Sequence, residues 1–257
     1  MNEIDVGIAR TVVFCLALGT GVLLERFAPQ APLRASWRVN GWLWVADALL
    51  VGAVCGACVY AAASWADRTG FGLLHAFTAP TGVALCTTLV GLDLVSYGWH
   101  RANHRIGMLW RFHQVHHSDP SFTASTALRF HPGEILLSLP VRLTAVLLLG
   151  APPGAVLAFE LLFTVANIIE HGNIHVAPDL ERLLPYVLVT PALHRRHHSV
   201  NRPELDSNFG TIFSLWDRLL RTYGASSSRL IFSTGLPGGR TAATLREAVL
   251  LPLRARA

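Results

Sequence analysis

The chain has 257 residues, of which 52% are hydrophobic and only 14% are charged. Soluble domains usually carry about 25% charged residues, so this composition excludes an ordinary soluble domain and favours an integral membrane protein. The net charge is +5, but the basic residues form no run interleaved with aromatic residues, and this argues against a nucleic-acid-binding surface.

Three apolar stretches are long enough to cross a bilayer, whose core of about 30 Å requires about 20 mostly apolar residues in a helix. They run approximately over residues 8–24, 42–63 and 80–99. The second contains Asp47 and the third contains Asp93. An acid inside a membrane span is functional by default, which draws attention to Asp93 in particular.

A fourth apolar region, residues 135–169, is interrupted by the sequence Gly-Ala-Pro-Pro-Gly at 150–154. This pattern predicts a hairpin of two short helices, at about 135–170, that crosses the membrane at least in part. We therefore expect an all-α, polytopic membrane bundle with a cytosolic helical cap. Its expected organisation is transmembrane helices over 1–79, a domain over 80–224 that contains the hairpin, and a tail over 225–257.

The distribution of arginines predicts the orientation in the membrane. All 21 basic residues are arginines, and they concentrate after the third apolar stretch and after the hairpin, whereas the hairpin tip has none. Because cytoplasmic loops carry the excess of positive charge, we expect the N-terminus outside and these two regions in the cytoplasm. The acidic start of the chain is unlike a signal peptide. The bias to Arg, Ala, Leu and Gly is typical of a GC-rich bacterial genome, so we expect the bacterial inner membrane.

Ten of the twelve histidines fall into four short boxes with helical spacing. Residues three and four apart share a helix face, so the histidines of each box project together. Three imidazoles on one face make a poor core but a good metal site, since neutral imidazole suits Fe, Zn, Cu and Ni. The boxes are His100 and His104; His113, His116 and His117; His171 and His175; and His194, His197 and His198.

All four boxes are expected at one membrane boundary, because His100 follows the third apolar stretch and His171 follows the hairpin. One metal ion takes four to six ligands, so ten histidines suggest two metal ions. His75 is expected on the opposite side and is interpreted as uninvolved.

Other metal chemistries fit the sequence less well. A zincin requires His-Glu-x-x-His, and the box that begins at His171 lacks that Glu. Soluble di-iron carboxylate proteins use Glu-x-x-His motifs, which this chain lacks. The Cys55-x-x-Cys58 pair lies mid-membrane without basic neighbours, which favours packing over redox chemistry. A histidine-ligated zinc hydrolase or isomerase, or a non-catalytic metal- or haem-binding membrane protein, remain as alternatives.

The boxes and their neighbours resemble the fatty acid hydroxylase and sterol desaturase superfamily of membrane di-iron enzymes. The resemblance extends from about Asp93 to Tyr223 and includes the segments at 97–104, 109–118, 129–134, 190–199, 208–210 and 216–217. It implies two iron ions held by the ten box histidines, with O₂ as co-substrate. The implied reaction is hydroxylation or desaturation of an unactivated C–H bond in an apolar lipid.

The resemblance also implies partners and supporting residues. The substrate is expected to come from the bilayer, and electrons from an external ferredoxin, cytochrome b5-like protein or reductase, because the chain has no flavin, nicotinamide or iron–sulfur motif. Metal-bound imidazoles usually donate their second N–H to a neighbouring group. The candidates for such supporting roles are Asp93, His131, Glu170, Asp206, Asn208 and Asp217. His131 is also considered as a ligand or a substrate contact.

Overall fold

The computed structural model of the chain describes residues 3–32, 36–50, 58–224 and 233–254. These residues form α-helices and short 3₁₀ turns, and extended structure in them is limited to isolated bridges. The predicted all-α fold is therefore confirmed. The helices are α1 (Glu3–Phe27), α2 (Trp37–Leu50), α3 (Cys58–Thr69), α4 (Leu73–Ala76), α5 (Thr81–Arg105), α6 (Gly107–His117), α7 (Pro132–Leu149), α8 (Pro153–Glu170), α9 (Pro178–Leu183), α10 (Pro191–His197), α11 (Arg202–Leu205), α12 (Leu215–Leu219) and α13 (Leu245–Leu250).

Four of the described helices are long and apolar enough to cross a membrane: α1, α5, α7 and α8. They include the first and third predicted spans and both arms of the hairpin. The predicted second span, 42–63, corresponds to the end of α2 and the start of α3. Its middle, with Cys55, lies outside the described residues, so a continuous span there stays a prediction.

At the tip of the hairpin, Gly150 is in close contact with Gly72 from the loop before α4. Gly150 ends α7 in the left-handed conformation with φ 63°, which favours glycine because no side chain clashes there. Gly72 precedes α4 with φ 105°, and a Cβ at this position would lie 2.3 Å from the backbone N of Gly150. The loop before α4 can approach the tip only because both residues lack a side chain.

The core divides into a part among the spans and a part in the cap. The span cluster joins α3, α5, α7 and α8 through residues such as Ala63, Leu92 and Val156. The cap cluster joins α2, α6 and the C-terminal segment; its buried members are Val39, Leu43, Val115, Leu236, Ala242, Ala248 and Leu251. The C-terminal segment that contains α13 therefore packs on α2 and α6 and closes the cap.

Arg129 ties the cap together, and it is one of the largest fully buried side chains of the described chain. Its guanidinium donates to Val115 O at 2.9 Å, Asn40 Oδ1 at 2.9 Å and Ser118 Oγ at 3.0 Å, and it also donates to Ala242 O. These acceptors belong to α2, the end of α6 and the C-terminal segment. A buried charge is tolerated only when it is fully hydrogen-bonded, so the three parts must stay together.

We expect Arg129→Met to destabilise the protein strongly, because the substitution leaves buried acceptors on three segments without a donor. Removing one member of a buried charged network costs about 3–5 kcal/mol. The measurement is the thermal unfolding midpoint in detergent, with Arg240→Met as a control at an exposed arginine. Equal midpoints for the two variants would show that Arg129 does not hold the cap.

Candidate metal centre

Nine histidines converge from four segments of the chain. The i, i+4 spacing places His100 and His104 on one face at the end of α5, and α6 and α10 each bring three more. His171 is the residue that ends α8. Seven of the nine are buried and the two on α5 are partly buried.

The nine imidazoles form two groups, each of which could hold a metal ion. Within each group the ligand atoms all lie within 4.8 Å of one another. The five-histidine group consists of His100, His104, His113, His117 and His197. The four-histidine group consists of His116, His171, His194 and His198.

The two His-x-x-His-His boxes each supply both groups. On α6, the i, i+4 pair His113 and His117 faces the five-histidine group, and His116 faces the other. The box on α10 does the reverse, since its i, i+4 pair belongs to the four-histidine group and His197 crosses to the first. A helix rotates by about 100° per residue, so one helix can face two adjacent sites. The two groups are therefore held at a fixed separation by the same helices.

The distances between ring nitrogens fit a shared metal ion. The Nε2 atoms of His113 and His117 lie 3.2 Å apart, and those of His194 and His171 lie 2.9 Å apart. The Nε2 atoms of His171 and His116 are separated by 3.0 Å. Imidazole nitrogen binds a metal at about 2.0–2.1 Å, so two ligands at right angles around one ion would lie about 3 Å apart.

Hydrogen bonds from Nδ1 to backbone carbonyls set the tautomer of four of these rings. Because a carbonyl oxygen only accepts, the bonded Nδ1 carries the proton and Nε2 keeps its lone pair for a ligand. The carbonyl pairs are His100 with Phe209 at 2.9 Å, His116 with Arg129 at 3.2 Å, His171 with Asn167 at 2.6 Å and His197 with Ser207 at 2.7 Å.

Several Nε2 atoms are buried and have no hydrogen-bond partner among the described residues. They belong to His100, His104, His197 and His198. An unpartnered buried polar nitrogen is costly. Three of these atoms belong to the five-histidine group and one to the four-histidine group, which fits metal binding in both groups. The donor set thus agrees with the metal predicted from the sequence.

Burial lowers the pKa of six of the imidazoles that lie outside the membrane spans. Loss of solvation lowers the pKa of His171 to about 4 and that of His197 to about 3. Desolvation, followed by repulsion from the neighbouring histidines, also lowers the pKa of His116, His117, His194 and His198 well below its ordinary value. Neutral imidazole is the form that binds metal, so these rings are ready ligands at physiological pH.

Glu134 supports the five-histidine group, and sequence reasoning did not single it out as a site residue. Its Oε1 accepts from Nδ1 of His113 at 2.8 Å and from Nδ2 of Asn103 at 3.1 Å. Glu134 lies in the first turn of α7, which begins directly after His131. Its place in the segment 129–134, which resembles the superfamily, was the signal that could have identified it.

Glu25 near the end of α1 is a second supporting residue that the sequence did not reveal. Its buried carboxylate accepts from the backbone N of Ala124 at 2.6 Å and of Asn173 at 2.8 Å. Asn173 follows His171 by two residues, and Ala124 begins the 3₁₀ turn before Arg129. The first span therefore fixes the backbone just after His171 and at the start of the 3₁₀ turn.

Two predicted acids lie beside ligand candidates without a direct hydrogen bond. The carboxylate of Glu170 lies 3.9 Å from Nδ1 of both His171 and His194. Asp206 Oδ1 is 3.8 Å from Nδ1 of His104. Their role in orienting these rings stays a prediction, although both are in position to act electrostatically.

Asp217 acts on the site through a loop. Its carboxylate accepts from the backbone N of Phe209 at 2.7 Å and of Gly210 at 2.8 Å. The carbonyl of Phe209 in turn accepts from His100 Nδ1. Asp217 thus positions the carbonyl that accepts from His100. Contrary to expectation, it does not contact the imidazole itself.

Asp93 and Asn208 have different roles from those predicted. Asp93 accepts from Ile212 N at 3.1 Å, Phe213 N at 3.2 Å and Trp216 Nε1 at 2.7 Å, so its carboxylate holds a loop and not an imidazole. The Asn208 amide pairs with the backbone of Gly224, accepting at 2.9 Å and donating at 3.3 Å. This pairing leaves it fixing a turn.

His175 and His131 lie outside both groups. α8 ends before His175, so the i, i+4 spacing from His171 has no helix face to act on. The His175 ring is exposed and its Nδ1 bonds Gln30 Oε1 at 2.9 Å. His131 precedes α7, where its Nδ1 accepts from Gly133 N and its Nε2 donates to Val249 O at 3.3 Å. The structure therefore does not support either residue as a ligand.

Aromatic side chains wall the two groups. Phe130 stacks on His116 with ring centroids 4.5 Å apart, and Phe209 lies 5.1 Å from His104. The ring centroids of Phe122 and His198 are 5.2 Å apart. The guanidinium of Arg195 also lies over the Phe122 ring, 4.7 Å from its centroid. These rings limit the access of water to the imidazoles.

Comparison with known proteins places the site in a family context. A profile of the fatty acid hydroxylase family matches residues 85–222. The chain is 34% identical over 152 residues to an alkylglycerol monooxygenase from Danio rerio, which is 58% of this chain and 32% of that relative. It is 34% identical over 144 residues to the ornithine lipid hydroxylase OlsE from Rhizobium tropici, covering 52% of this chain and 41% of that relative.

A more distant similarity is to the human cholesterol 25-hydroxylase, 26% identical over 140 residues, with 54% of this chain and 50% of that relative covered. The chain thus spans between a third and a half of the length of these curated relatives. No solved structure matches it significantly. The matched residues contain all nine converging histidines.

We expect His171→Ala to lower the metal content of the purified protein, because His171 contacts two other members of its group. His175→Ala should leave the metal content unchanged, since its exposed ring belongs to neither group. Inductively coupled plasma mass spectrometry measures both. An equal loss of metal in the two variants would contradict the assignment of His171 to a metal-binding group and of His175 to neither.

Glu134→Ala should weaken metal binding more than Glu134→Gln does, because glutamine can still accept from His113 while alanine cannot. Loss of such a supporting partner typically costs about 10–100-fold in metal affinity. Titration with a competing chelator gives the affinities. Wild-type affinity in Glu134→Ala would show that the carboxylate does not support the site.

Proposed function

The chain belongs to the fatty acid hydroxylase family, and from this premise we propose that it is a membrane-bound di-iron enzyme that hydroxylates an apolar lipid. The observation that carries the proposal is the pair of interleaved, largely buried histidine groups at the ends of apolar helices. The whole protein's activity is proposed on this basis, since the chain covers only part of its relatives.

The two groups would each hold one iron ion. Five imidazoles in one group and four in the other give two all-nitrogen sites, and imidazole suits iron as well as zinc. When bound, the iron ions supply the reduction of O₂ with external electrons and the transfer of one oxygen atom to a C–H bond. The overall balance is one substrate, one O₂, two electrons and two protons giving one alcohol and one water.

The protein's own residues prepare and protect this chemistry. Backbone carbonyls and Glu134 hold a proton at Nδ1 of the rings they contact, so Nε2 faces the metal. Arg129 fixes the carbonyl that orients His116. The aromatic rings around both groups exclude water, and this strengthens electrostatic interactions within the site.

The position of the site favours a lipid substrate that arrives from the bilayer. His100 and His104 end the spanning helix α5, His171 ends α8, and Glu134 lies in the first turn of α7. The site is therefore next to the end of three spans. The names of the relatives include alkylglycerols, ornithine lipids and cholesterol, which supports a membrane lipid as substrate and hydroxylation over desaturation.

Electrons are proposed to come from an external ferredoxin, cytochrome b5-like protein or reductase. The sequence contains no motif for a flavin, nicotinamide or iron–sulfur group that could supply them. The positions of the arginines support a cytoplasmic location of the site in a bacterial inner membrane. A soluble cytoplasmic donor could reach the cap from that side.

We expect about two iron ions per chain and no Soret band in the purified protein. Metal analysis and an optical spectrum on the same sample measure this, after reconstitution with Fe(II) under anaerobic conditions to avoid replacement by zinc. A folded protein that takes up no Fe(II) would overturn the di-iron proposal, and a Soret band would support a haem protein instead.

His117→Ala and His198→Ala are each expected to abolish O₂-dependent hydroxylation, because each removes a ligand from a different group. Both variants should still insert in the membrane, and His175→Ala should retain activity. Membrane extracts are screened with ¹⁸O₂ and a reductant, and mass spectrometry follows the label in the lipid. Full activity in either ligand variant would refute the ligand assignment, and products without ¹⁸O would refute monooxygenation.

A further inference from the structure

An exposed apolar surface lies outside the four candidate spans, on the two segments 178–188 and 215–220. Leu183 is 67% exposed, Tyr186 63% and Leu219 62%. We term these eight residues the apolar rim: Leu180, Leu183, Tyr186, Val187, Leu188, Leu215, Leu219 and Leu220. Isolated exposed apolar residues are ordinary, but a cluster of large ones marks a contact surface.

The two segments form one structural unit. Leu188 and Phe213 form an antiparallel bridge, and Ser214 N donates to Val187 O at 3.0 Å. The guanidinium of Arg218 donates to Pro185 O at 3.0 Å and lies 4.8 Å from the centroid of the Tyr186 ring. The apolar rim is therefore a single face and not two unrelated loops.

The unit contacts the spanning helices at depth. Ile212 packs against the cluster formed by α3, α5, α7 and α8, and Asp93 binds the backbone of Ile212 and Phe213. Asp93 lies twelve residues after the first residue of α5, which is about 18 Å along the helix. The bilayer core is about 30 Å thick. Asp93 is the thirteenth of the 25 residues of α5 and is therefore at the middle of this candidate span, which places it inside the hydrocarbon layer.

We propose that the apolar rim inserts into the acyl region of the bilayer leaflet on the side of the histidine groups, so the cap is partly immersed in the membrane. The occupant is lipid acyl chain, because the loop that joins the rim to α5 already lies at hydrocarbon depth. A soluble protein partner would not reach that depth. The rim is thus continuous with the lipid-facing surface of the spans.

Charges at the edge of the unit agree with this placement. Arg182, whose side chain is 79% exposed, follows Leu180 on α9, and Arg221 follows Leu220. Arginine side chains extend from an immersed apolar surface to the headgroup layer, where lipid phosphates lie. Arg221 follows the last residue of the rim, whereas Arg182 lies between Leu180 and Leu183 and pairs with the exposed Asp179 at 3.6 Å. A boundary between acyl chains and headgroups would pass along these charged positions.

Immersion would place lipid next to both histidine groups. Thr190, which caps α10, follows the first segment of the rim by two residues. Phe209, which contacts His100 and His104, precedes Ile212 by three residues. The inference rests on the membrane location of the chain and not on its proposed catalytic activity, so either can fail without the other.

The test measures the depth of single cysteines in vesicles. Leu183→Cys and Leu219→Cys are made in a chain whose native cysteines are replaced by alanine, labelled with bimane and reconstituted in phosphatidylcholine vesicles. Quenching is compared between nitroxide groups on the lipid acyl chains and iodide in the water. Leu162→Cys on α8 is the lipid-facing reference, and Arg240→Cys in the cap is the aqueous reference.

Loss of fluorescence with acyl-chain nitroxides, together with protection from iodide, is expected at both rim positions as at Leu162→Cys. Quenching by iodide as at Arg240→Cys would overturn the proposal. Protection from both quenchers would also overturn it and assign the rim to a protein contact, either a partner or a second copy. Tyr186→Cys repeats the test at a third position, so one poorly folded variant does not decide the result.

Discussion

The need to hold nine imidazoles close together, seven of them buried, is the constraint on which the rest of this structure depends. Burial and mutual repulsion lower the pKa of the cap histidines, to about 3 for His197 and about 4 for His171. A protonated cluster of this kind would repel itself apart, whereas neutral rings that share metal ions hold together. The surrounding residues serve to keep each ring in that state and orientation.

Orientation is achieved largely by the backbone. Carbonyls of Phe209, Arg129, Asn167 and Ser207 accept from Nδ1 of four different histidines. Side chains in turn hold two of these residues in place: Asp217 accepts from the backbone N of Phe209, and the guanidinium of Arg129 donates to Val115 O at the end of α6. The acids near the site therefore mostly bind backbone groups and not the imidazoles themselves. Glu134 is the exception, because it binds His113 directly.

The membrane spans and the cap form a continuous unit. Glu25 near the end of α1 holds the backbone at Ala124 and Asn173, and Asp93 in α5 holds the loop at Ile212. Both acids lie in candidate spans and both bind backbone amides of the cap. Asp93, which was expected to orient an imidazole, is thus an anchor between the two parts, as is Glu25.

The sequence by itself determined the fold class, most of the spans and the nine histidines that converge, because helical periodicity and apolar length are local properties of the residues. It did not reveal that each His-x-x-His-His box serves both groups. Nor did it reveal that His175 lies outside them, because α8 ends at Glu170 and His175 therefore shares no helix face with His171. The partners of Asp93, Asn208 and Glu134 lie 16 to 123 residues away in the chain or in a different segment. Such pairings depend on how helices pack, and only the tertiary structure could decide them.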